Sequence, residues 1–474
     1  IEFQTLAPFN QAHNQVVRLV QENQGAGSIL IVAPDEKDVD LIIGALTKFG
    51  LSSVKLTAAM PREERYRNYL EAMRRPISIV VGTRSAIFAP VINLTTVIIH
   101  KESSLDHYEV RSPGWNTRTV ALIRSEVESF KLVLTGFSPS IEVSQLIDER
   151  EIKYLNAKES VTVKAFTPSE GALLPGRIFT DVKKALTTGP VLFIAPRKGY
   201  GNALLCAHCR NVAACECGGR LSVSAKGKAP ACVHCGYSFP AWKCTFCNRD
   251  KQYLAGRGIE RAAEEISRAF PNFPVVISAG EVIKDRIEAR PALVLATPGA
   301  QPQVEGGYAA VVILEGLRFF AHTDLRTQER ARELFLETSS LISPEGSVLL
   351  VIDDSHPIVS AIARWNIAPL LKRELSERLE LKLPPSVFSV VLVMDQAIGM
   401  QIANGLKKAA AEGRIPSSSC IYGPTEISKG QVKIVIHADK KDASALTDSM
   451  HELQRRRSIA KKELFTLRVE PYSL

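Results

Sequence analysis

No stretch of the 474 residues strings together the ~18–20 apolar residues of a bilayer-crossing helix, and the opening IEFQTLAPFNQAHNQVVRLV lacks the basic-then-apolar layout of a secretion signal. Both absences point to a cytoplasmic protein with no membrane partner. Aromatic residues make up only 7%, so no extended base-stacking platform is signalled. There is no internal repeat and no low-complexity linker, which argues against solenoids and fibres. The missing G-x-S-x-G removes the nucleophile elbow of serine hydrolases, and the missing G-K-[S/T] removes a P-loop. Outside one short stretch cysteine is nearly absent, with Cys420 alone, whereas a secreted disulfide framework would spread its cysteines.

What is present describes a multidomain α/β protein. At ~100–200 residues per domain the length argues for three or four domains. Apolar residues at 45% and charged residues at 23% are ordinary for a globular chain, against disorder, collagen or coiled coil. Fifty-nine basic against 50 acidic residues leave +9, a mild pointer to polyanion partners. The first 150 residues alternate β-branched runs (SILIVAP at 28–34, ISIVVGT at 77–83, TTVIIH at 95–100, KLVLTG at 131–136) with helical segments, which predicts a parallel sheet. Asp35 can cap a helix carrying Val39, Ile42, Ile43 and Leu46, stopped by Gly50. A second set of strands is expected at 190–196, 273–278, 291–297, 308–314 and 347–353. Beyond about residue 366 the texture reads as a small α+β domain.

Eight cysteines form four close pairs, Cys206/Cys209, Cys215/Cys217, Cys232/Cys235 and Cys244/Cys247. A two-residue spacer lets one tight turn offer two sulfurs to the same ion, so eight sulfurs predict two closed four-thiolate zinc sites, Zn²⁺ two per chain. Spacing leaves open which pairs share an ion. Cys215 and Cys217 are one residue short of the usual bite, with Gly218 and Gly219 behind them to let the backbone adapt. His208 and His234, inside two of the pairs, are alternative ligands but read as exposed turn tips. Asp353, Asp354 and His356 resemble a metal constellation, though at a strand end a solvated loop is the better reading. Gly256-Arg257-Gly258 opens a helix and could cradle an anion; a plain helix start is the simpler interpretation.

Several motifs together, VGTRSAIFAP (81–90), PRKGYGNALLC (196–206) with the cysteine module behind it, DLRTQER (324–330), LPPSVF (383–388) and the ending RVEPYSL, resemble the primosomal protein N′, or replication restart protein PriA, family. The resemblance spans nearly the whole chain. It implies α/β architecture with two helicase-type (RecA-like) parallel-sheet lobes, a zinc-binding insertion and a small α+β C-terminal domain: lobe 1 at 1–155, lobe 2 at 156–200 and 251–365, the cysteine module at 201–250 and a DNA-binding domain at 366–474. It implies a nested arrangement, with Cys206, Cys209, Cys244 and Cys247 around one zinc and Cys215, Cys217, Cys232 and Cys235 around the other. The implied partners are forked or partly single-stranded DNA, other primosome proteins and the machinery that reloads the replicative helicase. The family's 3′-end-binding and winged-helix domains would precede Ile1.

Family members are ATP-dependent 3′→5′ DNA helicases, and the chain departs from them where that chemistry is needed. A P-loop requires glycines, a Lys for the β/γ-phosphates and a hydroxyl for Mg²⁺. At its position stand Pro8-Phe9-Asn10-Gln11-Ala12. His100-Lys101-Glu102-Ser103 replaces the acidic D-E-x-H that holds the metal, and a Lys there repels a cation; Glu102 is expected to be a solvated lone carboxylate. The G-S-A-T-P-S coupling element resembles Thr135 to Ser140. The arginine-finger segment corresponds to Glu337 through Pro344, with Leu341 and Pro344 in place of the arginines. Gly82, Thr83, Arg84, Asp324, Arg326, Glu329 and Arg330 persist. The expectation is a pseudo-helicase with no catalytic residues; the alternatives are an active helicase and a zinc-stapled interaction scaffold without DNA contact. From residue 366 onward 17 Lys/Arg face 12 Asp/Glu, and Arg455, Arg456, Arg457, Lys461 and Lys462 crowd eight positions. On a continuous helix 457 and 461 would share a face, a cationic edge suited to phosphates, with Arg84 as a further DNA contact and an ordinary solvated helix as the competing reading.

Overall fold

Each β-branched run of the first 150 residues becomes a strand of one parallel sheet: Ser28–Val32, Ile79–Gly82, Leu94–Ile99 and Lys131–Gly136. The computed structural model describes residues 1–25, 27–75, 78–168, 172–195, 203–209, 211–217, 219–222, 229–232, 235–255, 259–321, 324–428 and 430–474. Three short strands without such a run complete the sheet, in the order Val54–Leu56, Ile79–Gly82, Ser28–Val32, Leu94–Ile99, Lys131–Gly136, Glu2–Thr5, Lys153–Leu155. Ile29 and Ile31 enter one core with Val16, Val20, Val39, Ile42 and Leu46, while Leu30 and Val32 enter another with Phe3, Leu134 and Ala121. Covered on both faces, a parallel strand reads as an unbroken apolar run rather than an alternation.

Local signals set the element ends. Asp35 accepts the Asp38 N–H at 2.8 Å to start helix Glu36–Lys48, which stops at left-handed Gly50 (φ 73°) with the Leu51 N–H on the Leu46 carbonyl at 3.0 Å. Gly82, in the VGT motif, faces a different demand. A Cβ there would meet the Leu56 carbonyl oxygen at 2.1 Å, so the close approach of two backbones requires glycine.

A second parallel sheet runs Val163–Ala165, Ile342–Leu350, Tyr308–Ile313, Val191–Ile194, Leu293–Ala296, Val275–Ser278. Its core joins Val191, Phe193, Leu293, Leu295 and Val312 to the helical residues Ile178, Val182, Ile266 and Phe270. The C-terminal part is an antiparallel sheet, Cys420–Ser428, Gln431–Ala438, Phe388–Asp395, Thr466–Val469. Alternate residues Val390, Leu392 and Met394 pack under helices Gln396–Ala411 and Ala443–Ile459 through Ala403, Leu406, Leu446 and Met450. By internal contacts the chain divides into one unit of residues 1–159, 324–336 and 364–474 and another of 160–323 and 337–363. The first unit therefore joins the first sheet to the C-terminal one. Val469 N–H donates to the Pro113 carbonyl at 2.9 Å, using the free edge of strand Thr466–Val469. Among the described residues no helix is long and apolar enough to cross a membrane.

Candidate metal centres and the closed phosphate loop

In the cysteine module the strand pair Ala203–Cys206 and Gln252–Ala255 brings the first and last cysteine pairs together, and the small pair Leu221–Ser222 and Ala231–Cys232 serves the middle two. The ligand atoms of Cys206, Cys209, Cys244 and Cys247 all lie within 4.8 Å of one another, as do those of Cys215, Cys217, Cys232 and Cys235. Neighbouring sulfurs are 3.4 Å apart (Cys206–Cys247), 3.5 Å (Cys209–Cys244), 3.7 Å (Cys215–Cys235) and 3.5 Å (Cys217–Cys232). Four thiolates about 2.3 Å from a tetrahedral ion sit about 3.8 Å apart, so both tetrads fit a metal, and both are free thiols. The short Cys215–Cys217 bite is accommodated by a tight turn in which Cys215 N–H donates to the Gly219 carbonyl at 2.7 Å. Left-handed Gly236 and Asn248 directly follow Cys235 and Cys247, turning each chain away from its sulfurs. N–H groups of Cys209 and His208 aimed at the Cys206 sulfur lower its pKa to about 6. Although the Arg249 N–H favours the Cys247 thiolate, burial and the neighbouring thiols push that group up to about 12; without a cation the tetrad cannot fully ionise. His208 is exposed, as expected for a turn tip. His234, Gly218, residues 196–202 and Gly256-Arg257-Gly258 lie outside the described residues.

At the expected P-loop position a glutamine side chain ties the loop to the helix behind it. Between strand Glu2–Thr5 and helix Ala12–Glu22, Ala7 N–H donates to Gln15 Oε1 at 2.8 Å, and Gln15 Nε2 donates to the carbonyls of Ala7 (3.1 Å) and Asn10 (3.3 Å). A phosphate loop instead turns its N–H groups toward the anion. Where the metal carboxylates would stand, His100 is buried with Nδ1 3.2 Å from Thr135 Oγ1; burial outweighs the pull of Asp38 and lowers its pKa to about 3, so it is neutral. Lys101 pairs with Asp38 at 3.1 Å. Leu341 is half-buried and Pro344 exposed, neither able to place a cation.

Glu102 departs from expectation. It is 1% exposed, not solvated, because left-handed Lys101 turns the chain inward after strand Leu94–Ile99. Its carboxylate accepts from Ser140 N (3.0 Å), Ser140 Oγ (2.7 Å) and the Arg118 guanidinium. The network continues: Arg118 reaches Glu142 at 3.6 Å, Arg326 donates to Glu142 (2.8 Å) and Glu329 (3.1 Å), and Arg326 Nε donates to the Tyr472 carbonyl with its guanidinium 4.9 Å from the Tyr472 ring. Burial opposes both cations, but the surrounding carboxylates more than offset it and hold Arg118 and Arg326 raised. Burial and Glu142 raise Glu329. The coupling element is filled in the same way: Phe137 N and Ser138 N donate to Glu333 at 3.3 and 2.7 Å, and Ile141 N to Glu329 at 2.9 Å. Beside it Glu374 bridges Arg332 (2.5 Å) and Arg378 (2.7 Å), and Arg378 donates to the carbonyls of Leu325 and Pro384. DLRTQER, LPPSVF and the C-terminal PYSL are thus pieces of one buried assembly, completed by Arg118, Glu142, Glu333, Arg332 and Glu374. Sequence reading passed over those five, since single charges on amphipathic helices carry no signal of burial.

The expected DNA contacts are dispersed. Arg84 donates to the carbonyls of Asp106 (2.9 Å) and Tyr108 (2.8 Å), pairs with Glu109 at 3.0 Å and lies 5.8 Å from the Trp115 ring, tying down its neighbouring loop. Arg455 and Arg456 share Glu452 at 2.6 and 2.7 Å, and Arg457 donates to the Glu463 carbonyl at 2.8 Å. The helix ends at Ile459, so Arg457 and Lys461 do not share a helical face. Left-handed Lys461 (φ 51°), with its N–H on Ser458 and the Lys462 N–H on Arg457, forms a Schellman stop that turns Lys461 and Lys462 off the axis. Asp353 accepts from Ser355 in an open loop and His356 lies against Phe320, 4.7 Å between rings, with no metal cluster there among the described residues.

Comparison with known proteins adds the family. The chain is 33% identical over 450 residues to the protein named probable replication restart protein PriA from Mycobacterium tuberculosis, covering 89% of this chain and 67% of that protein. It belongs to the PriA family. The PriA relative of Mycobacterium leprae is 32% identical over 426 residues, 85% of this chain and 64% of that one; PriA of Bacillus subtilis is 21% identical over 469 residues, 90% and 58%. The chain thus spans about two thirds or less of the length of these PriA proteins. No family model matches. Among solved structures, yeast Dbp5 bound to RNA and ADP BeF3 gives a TM-score of 0.38 at 9% identity over 79% of this chain and 89% of that one, and RecG bound to a three-way DNA junction gives 0.41 at 11% over 80% and 46%. Those two likenesses are too distant to bear on function. The parallel-sheet lobes and the antiparallel C-terminal layer are the PriA-type architecture expected from the motifs.

Proposed function

We propose that this chain is a cytoplasmic replication restart factor that binds abandoned or stalled DNA forks and promotes primosome assembly and reloading of the replicative helicase, without hydrolysing ATP. The observation that carries the reading is the Gln15-closed loop in a PriA-family chain whose other motifs persist as a buried assembly. An ATP-dependent helicase needs a phosphate cradle, metal carboxylates and arginine fingers; here the glycines and Lys of the cradle are replaced, Lys101 and Glu102 are paired with Asp38 and Arg118, and Leu341 and Pro344 carry no charge. Zinc is the ion that four thiolates suit, one held by Cys206, Cys209, Cys244 and Cys247 and one by Cys215, Cys217, Cys232 and Cys235, stapling a module whose apolar core is only a few residues deep. Within the four-part organisation, residues 366–474 hold the basic residues Arg455, Arg456, Arg457, Lys461 and Lys462 as the DNA contacts, although they do not form one helical face.

A fork-binding titration across a salt series tests the reading. Binding by phosphate contacts is sequence-independent, and its affinity falls by about 0.9 log units per log unit of salt for each duplex phosphate neutralised. Replacing Arg456, Arg457 and Lys461 with Ala is expected to weaken fork binding for all sequences and flatten the slope with zinc content unchanged. A wild-type protein that leaves forks unbound would favour the interaction scaffold instead.

A further inference from the structure

Helix Arg62–Arg74 is unusually bare: of its thirteen residues Ala72 alone is buried, and Asn68 tethers it by donating to the Lys55 carbonyl at 2.9 Å. Arg62, Tyr66, Tyr69 and Met73 recur at the spacing that places side chains on one face. Tyr66 is 65% exposed, Tyr69 40% and Met73 39%. Two of the helix's acids are already paired, Glu63 with Arg67 at 3.2 Å and Glu71 with Arg75 at 3.1 Å, which leaves Glu64. The guanidiniums of Arg62, Arg65 and Arg74 have no hydrogen-bond or ion-pair partner among the described residues. An uncovered stripe of two phenol rings and a thioether, with three unpaired guanidiniums against one unpaired carboxylate on the same helix, is therefore left by the fold.

We propose that this face binds single-stranded DNA, with bases stacking on Tyr66 and Tyr69 and phosphates meeting Arg62, Arg65 and Arg74. The proposal rests on the DNA-binding reading above and adds to it a strand-selective contact on the first sheet's own helix. Charge complementarity selects the occupant. An apolar protein surface would match Tyr66 and Met73 but would leave three guanidiniums facing it unpaired, whereas a single strand offers both π-faces and phosphates. The low overall aromatic content agrees with a short contact of about two bases rather than an extended platform.

The test titrates the full chain with a fluorescein-labelled oligo-dT and, separately, a blunt duplex of the same length. Tyr66→Ala with Tyr69→Ala is expected to weaken oligo-dT binding about tenfold or more, since stacking dominates such contacts, and to leave duplex binding within about twofold. Tyr66→Phe with Tyr69→Phe should retain it, because the ring face is kept. Arg62→Ala, Arg65→Ala and Arg74→Ala together should reduce the salt slope on oligo-dT by about 2, at about 0.7 per single-strand phosphate. An alanine pair that binds oligo-dT like the wild type, or that loses duplex and oligo-dT equally, overturns the proposal. So does a wild type that binds forks but not oligo-dT, an outcome that leaves the fork-binding reading standing; a wild type that binds no DNA overturns both.

Discussion

The cysteine module and the loop at Leu6–Gln11 are both short, polar and turn-rich, yet their polar groups do opposite things. Eight sulfurs converge in two tetrads, with neighbouring sulfurs 3.4 to 3.7 Å apart. In the loop the Gln15 amide binds the Ala7 N–H and the carbonyls of Ala7 and Asn10, while Lys101 and Glu102 are held by Asp38 and Arg118. Sulfurs that face one another suit a shared ion, whereas polar groups bonded to protein partners are already satisfied, and a buried polar group left unpaired costs about 1–3 kcal/mol. Charge and residue type alone do not separate the two cases, and partnering does.

That contrast can be broken most forcefully at the sulfurs. Elemental analysis of protein never exposed to chelator should return two zinc ions per chain, and Cys232→Ser or Cys244→Ser should each lose one. Because structural zinc contributes apparent binding energies of about 10–16 kcal/mol that double as folding energy, the module should unfold locally with the metal. One zinc or fewer in the wild type would remove the contrast. On the other side, Glu102→Ala should lower stability by about 3 kcal/mol in a denaturant titration, because it leaves the buried Arg118 guanidinium only Ser140 and the more distant Glu142 and unpairs the Ser140 N–H. Asp354→Ala, in an open loop, is the control and should stay within about 0.5 kcal/mol. If both behave alike, Glu102 is the solvated remnant that its sequence context suggested.

A pH series sharpens the same point. His100 titrates at about 3 in the folded chain against an ordinary 6.5, so the unfolded chain binds its proton first. Its contribution is fully present above pH 6.5 and is lost as pH falls toward 3, at about 1.4 kcal/mol per pH unit at most. Between pH 6 and 4 the wild type should therefore lose about 2–3 kcal/mol more than His100→Gln, read from thermal melts. The smallest effect belongs to Gln15→Ala. Removing the amide should cost about 1–2 kcal/mol by unpairing loop groups, and fluorescent ATP analogues should bind no better than to the wild type. Recovered nucleotide binding would mean that Gln15 blocks a cradle that is otherwise intact.

The fold was legible where apolar runs were long. Every β-branched run that was read as a strand is one, and Asp35 and Gly50 bound the helix they were expected to bound. Glu2–Thr5 and Val54–Leu56 were not seen, because EFQT and VKL are too short and too polar to announce themselves, although Phe3 is fully buried. In the candidate site, cysteine spacing pointed to the sulfurs because ligand geometry is local. Glu102 was misplaced because its partners Arg118 and Ser140 lie 16 and 38 residues away, a separation that only the tertiary fold closes. The cationic edge was drawn on a helix that ends two residues early, since Lys461 takes the left-handed position that glycine usually holds.

The most direct measurement is phosphate release from ATP, followed in the same tube as a fork-binding titration, with zinc-replete protein and saturating forked DNA. The expected result is saturable fork binding with no DNA-stimulated release above the protein-free background. Hydrolysis that persists through re-purification, rises with added fork and changes on substitution at Pro8 or His100 would contradict it and restore the helicase reading.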